Sequence, residues 1–240
     1  MYKSHVLIFI TNLDVLIVNI LETRNFISAR EMLSHNNWTF TTTTEAALYD
    51  KPPFTPWLTA LSSYLFGMES LFAYRLPAAL TSILLLVIFY KLQLLLIIQK
   101  NVAFISSLIL MTSFYIVFSG RDGQWDIFTH AFMMGAIYFI ILTFNSDVKK
   151  YSYAIIAGLF FGASLLSKGP VSLYALFIPF LISYSLTYKF QNLKVNWKPM
   201  LLFLIVGVST GISWTLYVHY YDAEAFAAVA EIESSRWLNS

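Results

Sequence analysis

Cysteine is absent from the 240 residues, and charge is scarce: 12% of the side chains are Asp, Glu, Lys or Arg, against 58% hydrophobic. The missing cysteines exclude a disulfide framework, a thiol nucleophile and a cysteine metal site. No glycine-rich nucleotide loop is found, and no nucleic-acid partner is expected. The alternating segments of about ten residues that mark a membrane barrel are missing too. The first apolar stretch, HVLIFITNLDVLIVNI, lacks a small-residue cleavage site and does not read as a secretory signal. What is present, at a mean hydropathy of +0.66, is a series of apolar runs. Several reach about 18 residues, enough to cross a hydrocarbon core of about 30 Å. The expected fold class is therefore an all-α integral membrane bundle.

Hydropathy places spans near 76–97, 101–118, 127–144, 151–167, 171–187 and 200–218. A weaker one near 5–20, interrupted by Asn12, Asp14 and Asn19, makes about seven. The segment 54–67, FTPWLTALSSYLFG, is too short to cross and reads as an interfacial helix, entered at Pro52-Pro53 and ended at Gly67. Residues 22–33 read as a second one. With 54–67 lying flat, Lys3, Lys91, Lys100, Lys149, Lys150, Lys189, Lys194 and Lys198 fall on one side with a single acid, Asp147. The other side takes the remaining seven cations and twelve acids. The positive-inside rule then puts the N-terminus in the cytoplasm and the acidic side outside. Gly158-x-x-x-Gly162 and Gly207-x-x-x-Gly211 inside two spans predict close helix packing.

Several outer charges sit at the membrane boundary, where a charge is costly unless it is paired or functional. These are Glu22 and Arg24, Asp50 and Lys51 in YDKPPFTPW, Arg121, Asp122 and Asp126, and Lys168 in Lys168-Gly169-Pro170. Lysine and arginine suit phosphate oxygens. A carboxylate can hold a divalent cation or take a proton from an attacking hydroxyl. Ion pairs that only fix helix packing are the competing reading. His130, one turn after Asp126, reads as a buried hydrogen-bonded histidine.

ETRNFISAREML, NNWTF, YDKPPFTPW and YRLPAAL, followed by SGRDGQWDIF and SLLSKGPVSL, stand in an order that resembles one family. It is the lipid-linked sugar transferases of the GT-C fold, of the family 39 and aminoarabinose transferase-like type. The resemblance runs from about 22 to 180. It implies a glycosyltransferase that moves a sugar from a polyprenyl-phosphate donor to a glycolipid, glycan or protein acceptor on the outer face of a bacterial inner membrane. It implies Asp50 at a metal-ligand position, with a possible divalent cation. Lys51, Lys168, Arg24 and Arg121 are implied near the donor phosphate, and Glu22 and Asp126 as catalytic carboxylates.

Two positions depart from that pattern. Leu21 stands where the family places its candidate base, and Asp50 replaces the more usual glutamate. A non-catalytic lipid-phosphate-binding relative is thus the second reading. A transporter fits less well, because the polar groups gather at one face and not at mid-membrane. The chain reads as the N-terminal half of such a protein. Residues 1–218 would form a membrane module with its first outer loop at 21–75, and 219–240 would open a later outer loop.

Overall fold

The computed structural model describes residues 8–15, 17–97 and 99–238. After a helical turn at 8–10 the chain forms α1 (Ile20–Ser34), a two-residue hairpin β1 (Thr42–Thr43) and β2 (Ala46–Ala47), and α2 (Phe54–Phe66). Then come α3 (Leu71–Leu96), α4 (Lys100–Thr112), α5 (Phe114–Arg121), α6 (Asp126–Phe144) and α7 (Lys150–Lys168). A π-helical turn (Leu173–Phe177) leads into α8 (Ile178–Thr187), α9 (Gln191–Val195), α10 (Trp197–Tyr221) and α11 (Ala223–Leu238). The antiparallel hairpin pairs Thr42 with Ala47 and Thr43 with Ala46.

The expectation of about seven spans is not met. Among the described residues four helices, α3, α6, α7 and α10, are long and apolar enough to cross a membrane. A fifth is reached only if α4 and α5 count as one span bent by 61°. The bend follows from Ser113, whose extended backbone breaks the ladder, while the Thr112 hydroxyl turns back to the Leu108 and Ile109 carbonyls. The 171–187 run fails for a different reason. Pro179 has no N–H to continue the helix, the preceding turn widens to π geometry, and Leu173–Thr187 is too short. The weak first segment lies partly outside the described residues; beyond 8–10 it leaves the helix in a turn at 11–15.

The core lies where α6, α7 and α10 meet, around Ile137, Ile140, Phe161 and Phe203. The glycine pairs serve the predicted close approach. A Cβ on Gly158 would stand 2.9 Å from the Phe203 carbonyl oxygen, and one on Gly207 2.7 Å from the Phe161 ring.

α2 packs against both α1 and α3, and together they make a platform on one face of the molecule. Asn19 caps α1 in a capping box with Glu22. α2 buries its polar side, Thr55, Thr59, Ser62 and Ser63, and exposes Leu61, Leu65 and Phe66. Pro77 explains part of that inversion. It cannot donate to the Ala73 carbonyl one turn earlier, and Ser62 of α2 donates to that oxygen at 2.6 Å instead.

The platform is locked by a buried ion pair. Glu22 is 0% and Arg75 1% exposed. Arg75 Nη2 donates to Glu22 Oε1 at 2.5 Å and Nε donates to Oε2 at 3.0 Å, while Nη1 donates to the Leu13 carbonyl at 2.7 Å. The Gly123 N–H donates to Glu22 Oε2 at 3.0 Å and the Asn19 N–H to Oε1 at 3.1 Å. Three segments, the cap of α1, the start of α3 and the loop before α6, therefore close on one carboxylate. Burial alone would raise the Glu22 pKa, but Arg75 and the two N–H donors outweigh it and hold it below the usual value. Its share of stability is thus present at neutral pH and is lost as pH falls through that depressed pKa. Arg75→Met, which strands the carboxylate, is expected to cost about 3–5 kcal/mol. Chemical unfolding in detergent measures this, and adding Glu22→Gln in the same chain should recover most of the loss.

Candidate lipid-phosphate site

The stretch YDKPP runs extended into α2 and meets the ends of three other helices. Arg24 of α1 donates from Nη2 to both oxygens of Asp50, at 3.2 and 3.0 Å. Asp126 opens α6 and Lys168 closes α7, each at the helix end whose partial charge favours it. Their side chains form an ion pair. Lys51 lies between the two pairs with its ammonium 4.3 Å from the centre of the Trp125 ring. The cluster therefore holds three cations against two carboxylates. Each carboxylate is matched to one cation, and Lys51 keeps the surplus charge.

That surplus is exposed to a cavity of about 330 Å³, walled by Tyr49, Asp50, Lys51, Lys168, Val171 and Phe226. Burial pushes the Lys51 pKa down and the Arg24 and Lys168 charges push it further, against the pull of Asp50 and Asp126. An incoming anion would relieve that strain on the ammonium. The distal wall comes from α11, tied back by a hydrogen bond of 2.6 Å from the Tyr49 hydroxyl to Asp222. Burial and this bond push the Tyr49 phenol pKa up. Two tryptophans fix the intervening loop: Trp57 donates to the Trp38 carbonyl at 2.6 Å, and Trp214 to the Thr39 carbonyl at 2.7 Å.

The structure brings together Arg24, Asp50, Lys51, Asp126 and Lys168 of the expected residues, and places the other two elsewhere. Glu22 is enclosed in the Arg75 clamp. Arg121 donates to the Ile8 and Asn12 carbonyls at 2.6 and 3.1 Å, closing the end of the first helical turn. Trp125, Tyr49, Asp222 and Phe226 were not expected as part of the site. Trp125 sits in the motif already noted, one residue before Asp126, but no local pattern distinguishes a tryptophan beneath a lysine from one in a core. His130 is hydrogen-bonded as expected, its Nδ1 lying 2.8 Å from the Ser172 hydroxyl.

A divalent cation does not fit the donor set in this arrangement. Both Asp50 oxygens face the Arg24 guanidinium, and Asp222 is engaged by Tyr49. Among the described residues no group of three or more His, Asp or Glu is placed to hold a metal ion. One carboxylate falls short of the several oxygen ligands such a cation takes.

A platform of juxtamembrane helices over a helical membrane bundle, with a cationic cavity at their junction, is the arrangement of the GT-C fold. The chain belongs to the dolichyl-phosphate-mannose-protein mannosyltransferase family, which its residues 50–214 match. It is 25% identical over 156 residues to an undecaprenyl phosphate-alpha-4-amino-4-deoxy-L-arabinose arabinosyl transferase of Proteus mirabilis. That match covers 64% of this chain and 28% of the relative. It is 24% identical over 207 residues to the corresponding enzyme of Pseudomonas savastanoi, covering 85% and 38%. The crystal structure of ArnT from Cupriavidus metallidurans bound to undecaprenyl phosphate superposes with a TM-score of 0.79 at 20% identity. It covers 93% of this chain and 41% of that one. The apo form gives 0.76 at 19% identity, covering 93% and 42%. The chain thus spans less than half the length of these relatives.

Lys51→Met is expected to weaken binding of a phosphate monoester anion by about tenfold to a hundredfold, the worth of one charge-assisted hydrogen bond. Because the Lys51 pKa is depressed, wild-type affinity should fall with rising pH earlier than an ordinary lysine would allow. Titration of the purified full-length protein at several pH values measures both.

Proposed function

We propose that the protein of which this chain forms a part transfers a sugar from a polyprenyl-phosphate donor to an acceptor hydroxyl at the outer face of a bacterial inner membrane. The observation that carries this reading is Lys51, a half-buried cation without a carboxylate partner of its own, set between two ion pairs and facing a cavity. In the proposed complex Lys51 binds the donor phosphate and Lys168 and Arg24 flank it. As the bond from the anomeric carbon to the phosphate oxygen breaks, negative charge grows on that oxygen. Preorganised cations stabilise it more in the transition state than in the ground state. Asp126 holds Lys168 in place. The solved relative with undecaprenyl phosphate bound supports a donor of this chemical class. The division of charge along the sequence supports a cytoplasmic N-terminus and an outward-facing site. The acceptor is a glycolipid, a glycan or a protein hydroxyl.

Leu21 favours a second reading. It is 58% exposed, at the position where the resemblance implies a base, and cannot take a proton. In that reading the protein binds a lipid phosphate without turnover.

The deciding experiment assays sugar transfer from a radiolabelled polyprenyl-phosphate sugar by the full-length protein, with Lys51→Ala and Lys168→Ala beside the wild type. The expected result is wild-type transfer, a loss of at least about a hundredfold in Lys51→Ala, as when one transition-state donor is removed, and no loss on adding EDTA. Donor binding without transfer by the wild type would establish the second reading. Loss of transfer in EDTA would show that a cation displaces Arg24 from Asp50.

A further inference from the structure

A separate cavity of about 370 Å³ lies beside Arg121 and Phe118 and shares no wall residue with the one at Lys51. The Lys51 cavity is reached from another direction, along α6. Three successive side-chain contacts join α6 to the end of α7 and to the turn beyond it. One turn before Lys168, the Thr129 hydroxyl donates to the Ser164 carbonyl at 3.0 Å and the Ser164 hydroxyl to the Thr129 carbonyl at 2.7 Å. Next, Asp126 pairs with Lys168. Last, past Gly169-Pro170, Ser172 Oγ lies 2.8 Å from His130 Nδ1. Asp126 and His130 stand one turn apart, on the same face of α6.

Between the grips of Asp126 and His130 the chain has little else to hold it. Gly169 stands at φ +70°, a conformation open to glycine, and its N–H ends the α7 ladder on the Leu165 carbonyl at 2.7 Å. Pro170 has no N–H to give. Its carbonyl takes the Leu173 N–H at 3.0 Å, a bond inside the next helix. Among the described residues, the contact with His130 is therefore the hydrogen bond that ties residues 169–172 to another helix. Ser172 is fully buried, so its hydroxyl depends on that partner. Tyr115 of α5 lies on the other side of the imidazole, 6.3 Å between ring centres, and the charged groups beside it are Asp126 and Lys168. The held segment belongs to the phosphate site itself: Lys168 and Val171 are both walls of the Lys51 cavity.

We propose that His130 is a positioning residue for the phosphate site. By holding Ser172 it fixes the turn after Lys168, and through that turn the Lys168 ammonium and the Val171 wall. This rests on the transferase reading above, in which Lys168 flanks the donor phosphate. Asp126 restrains the tip of the Lys168 side chain, and His130 restrains the backbone from which it springs. A lysine stem is four carbons long and flexible, so its ammonium is placed well only when both ends are held. An ammonium already in place loses little freedom when the phosphate arrives, and such preorganisation adds to affinity.

The test measures the affinity of the full-length protein for undecaprenyl phosphate, and its thermal midpoint, in detergent. His130→Leu should bind about three- to tenfold more weakly than the wild type, the worth of one neutral hydrogen bond. Ser172→Ala should match it, and the two together should lose no more than either alone, since both remove one contact. His130→Asn, whose carboxamide can give or accept a hydrogen bond near the place of Nδ1, should keep most of the affinity. In a Lys168→Ala background, His130→Leu should still lower the midpoint but weaken binding no further. An equal loss of affinity in that background marks a general packing role and overturns the assignment, while the transferase reading stands. So does wild-type affinity in His130→Leu, or His130→Asn no better than His130→Leu. Lys168→Ala with wild-type affinity removes Lys168 from the phosphate, and the assignment with it. A wild type that binds no undecaprenyl phosphate overturns both.

Discussion

Glu22 and Arg75 meet where water is excluded, and the helical platform of the molecule is arranged around the cost of that meeting. A buried carboxylate must be fully satisfied, because an unpaired charge there costs several kcal/mol. Arg75 supplies two donors, and the remaining positions are filled by N–H groups from Asn19 and Gly123. The cap of α1, the first turns of α3 and the loop before α6 can satisfy that carboxylate only in one mutual arrangement. The same arrangement sets the neighbouring residues. Arg24, less than one turn after Glu22, is directed at Asp50. Asp122, next to Gly123, is left with one oxygen unserved. Trp125 is buried where Lys51 can lie over it. Acids of similar type are thus set apart by what surrounds each of them.

The cavity at Lys51 has a different logic. Its walls come from parts of the chain far apart in sequence: the YDKPP stretch, the end of α7, and α11. They are joined by two polar contacts, Tyr49 to Asp222 and Trp214 to Thr39, and by an apolar cluster of Tyr49, Leu166, Trp214 and Val218 on which Phe226 and Val229 of α11 pack.

Much of this was legible in the sequence, and the reasons are local. Apolar runs announced α3, α6, α7 and α10, since a spanning helix needs only length and composition. The ordered motifs singled out Arg24, Asp50, Lys51, Asp126 and Lys168, which the fold brings close to one another. The miscounted spans failed on backbone detail. Hydropathy averages over Ser113 and Pro179, whose effect is to break a ladder and not to change mean polarity. Glu22 and Arg121 were assigned to the site because a charge at a boundary looks the same whether it faces a ligand or a helix end. Their partners, Arg75 at 53 residues and the Ile8 carbonyl at 113 residues, are set by the tertiary fold. The polar inner face of α2 was hidden likewise, since the Ala73 carbonyl it serves is freed by a proline in another helix.

The central claim is that Lys51 binds a lipid phosphate in the cavity closed by Phe226. A structure of the full-length protein with undecaprenyl phosphate bound tests it most directly. The phosphate is predicted within hydrogen-bonding distance of Lys51 Nζ, with Lys168 and Arg24 beside it and Asp126 still holding Lys168. A phosphate bound in the other cavity, beside Arg121 and Phe118, with Lys51 still lying over Trp125 and its own cavity unfilled, would contradict the account.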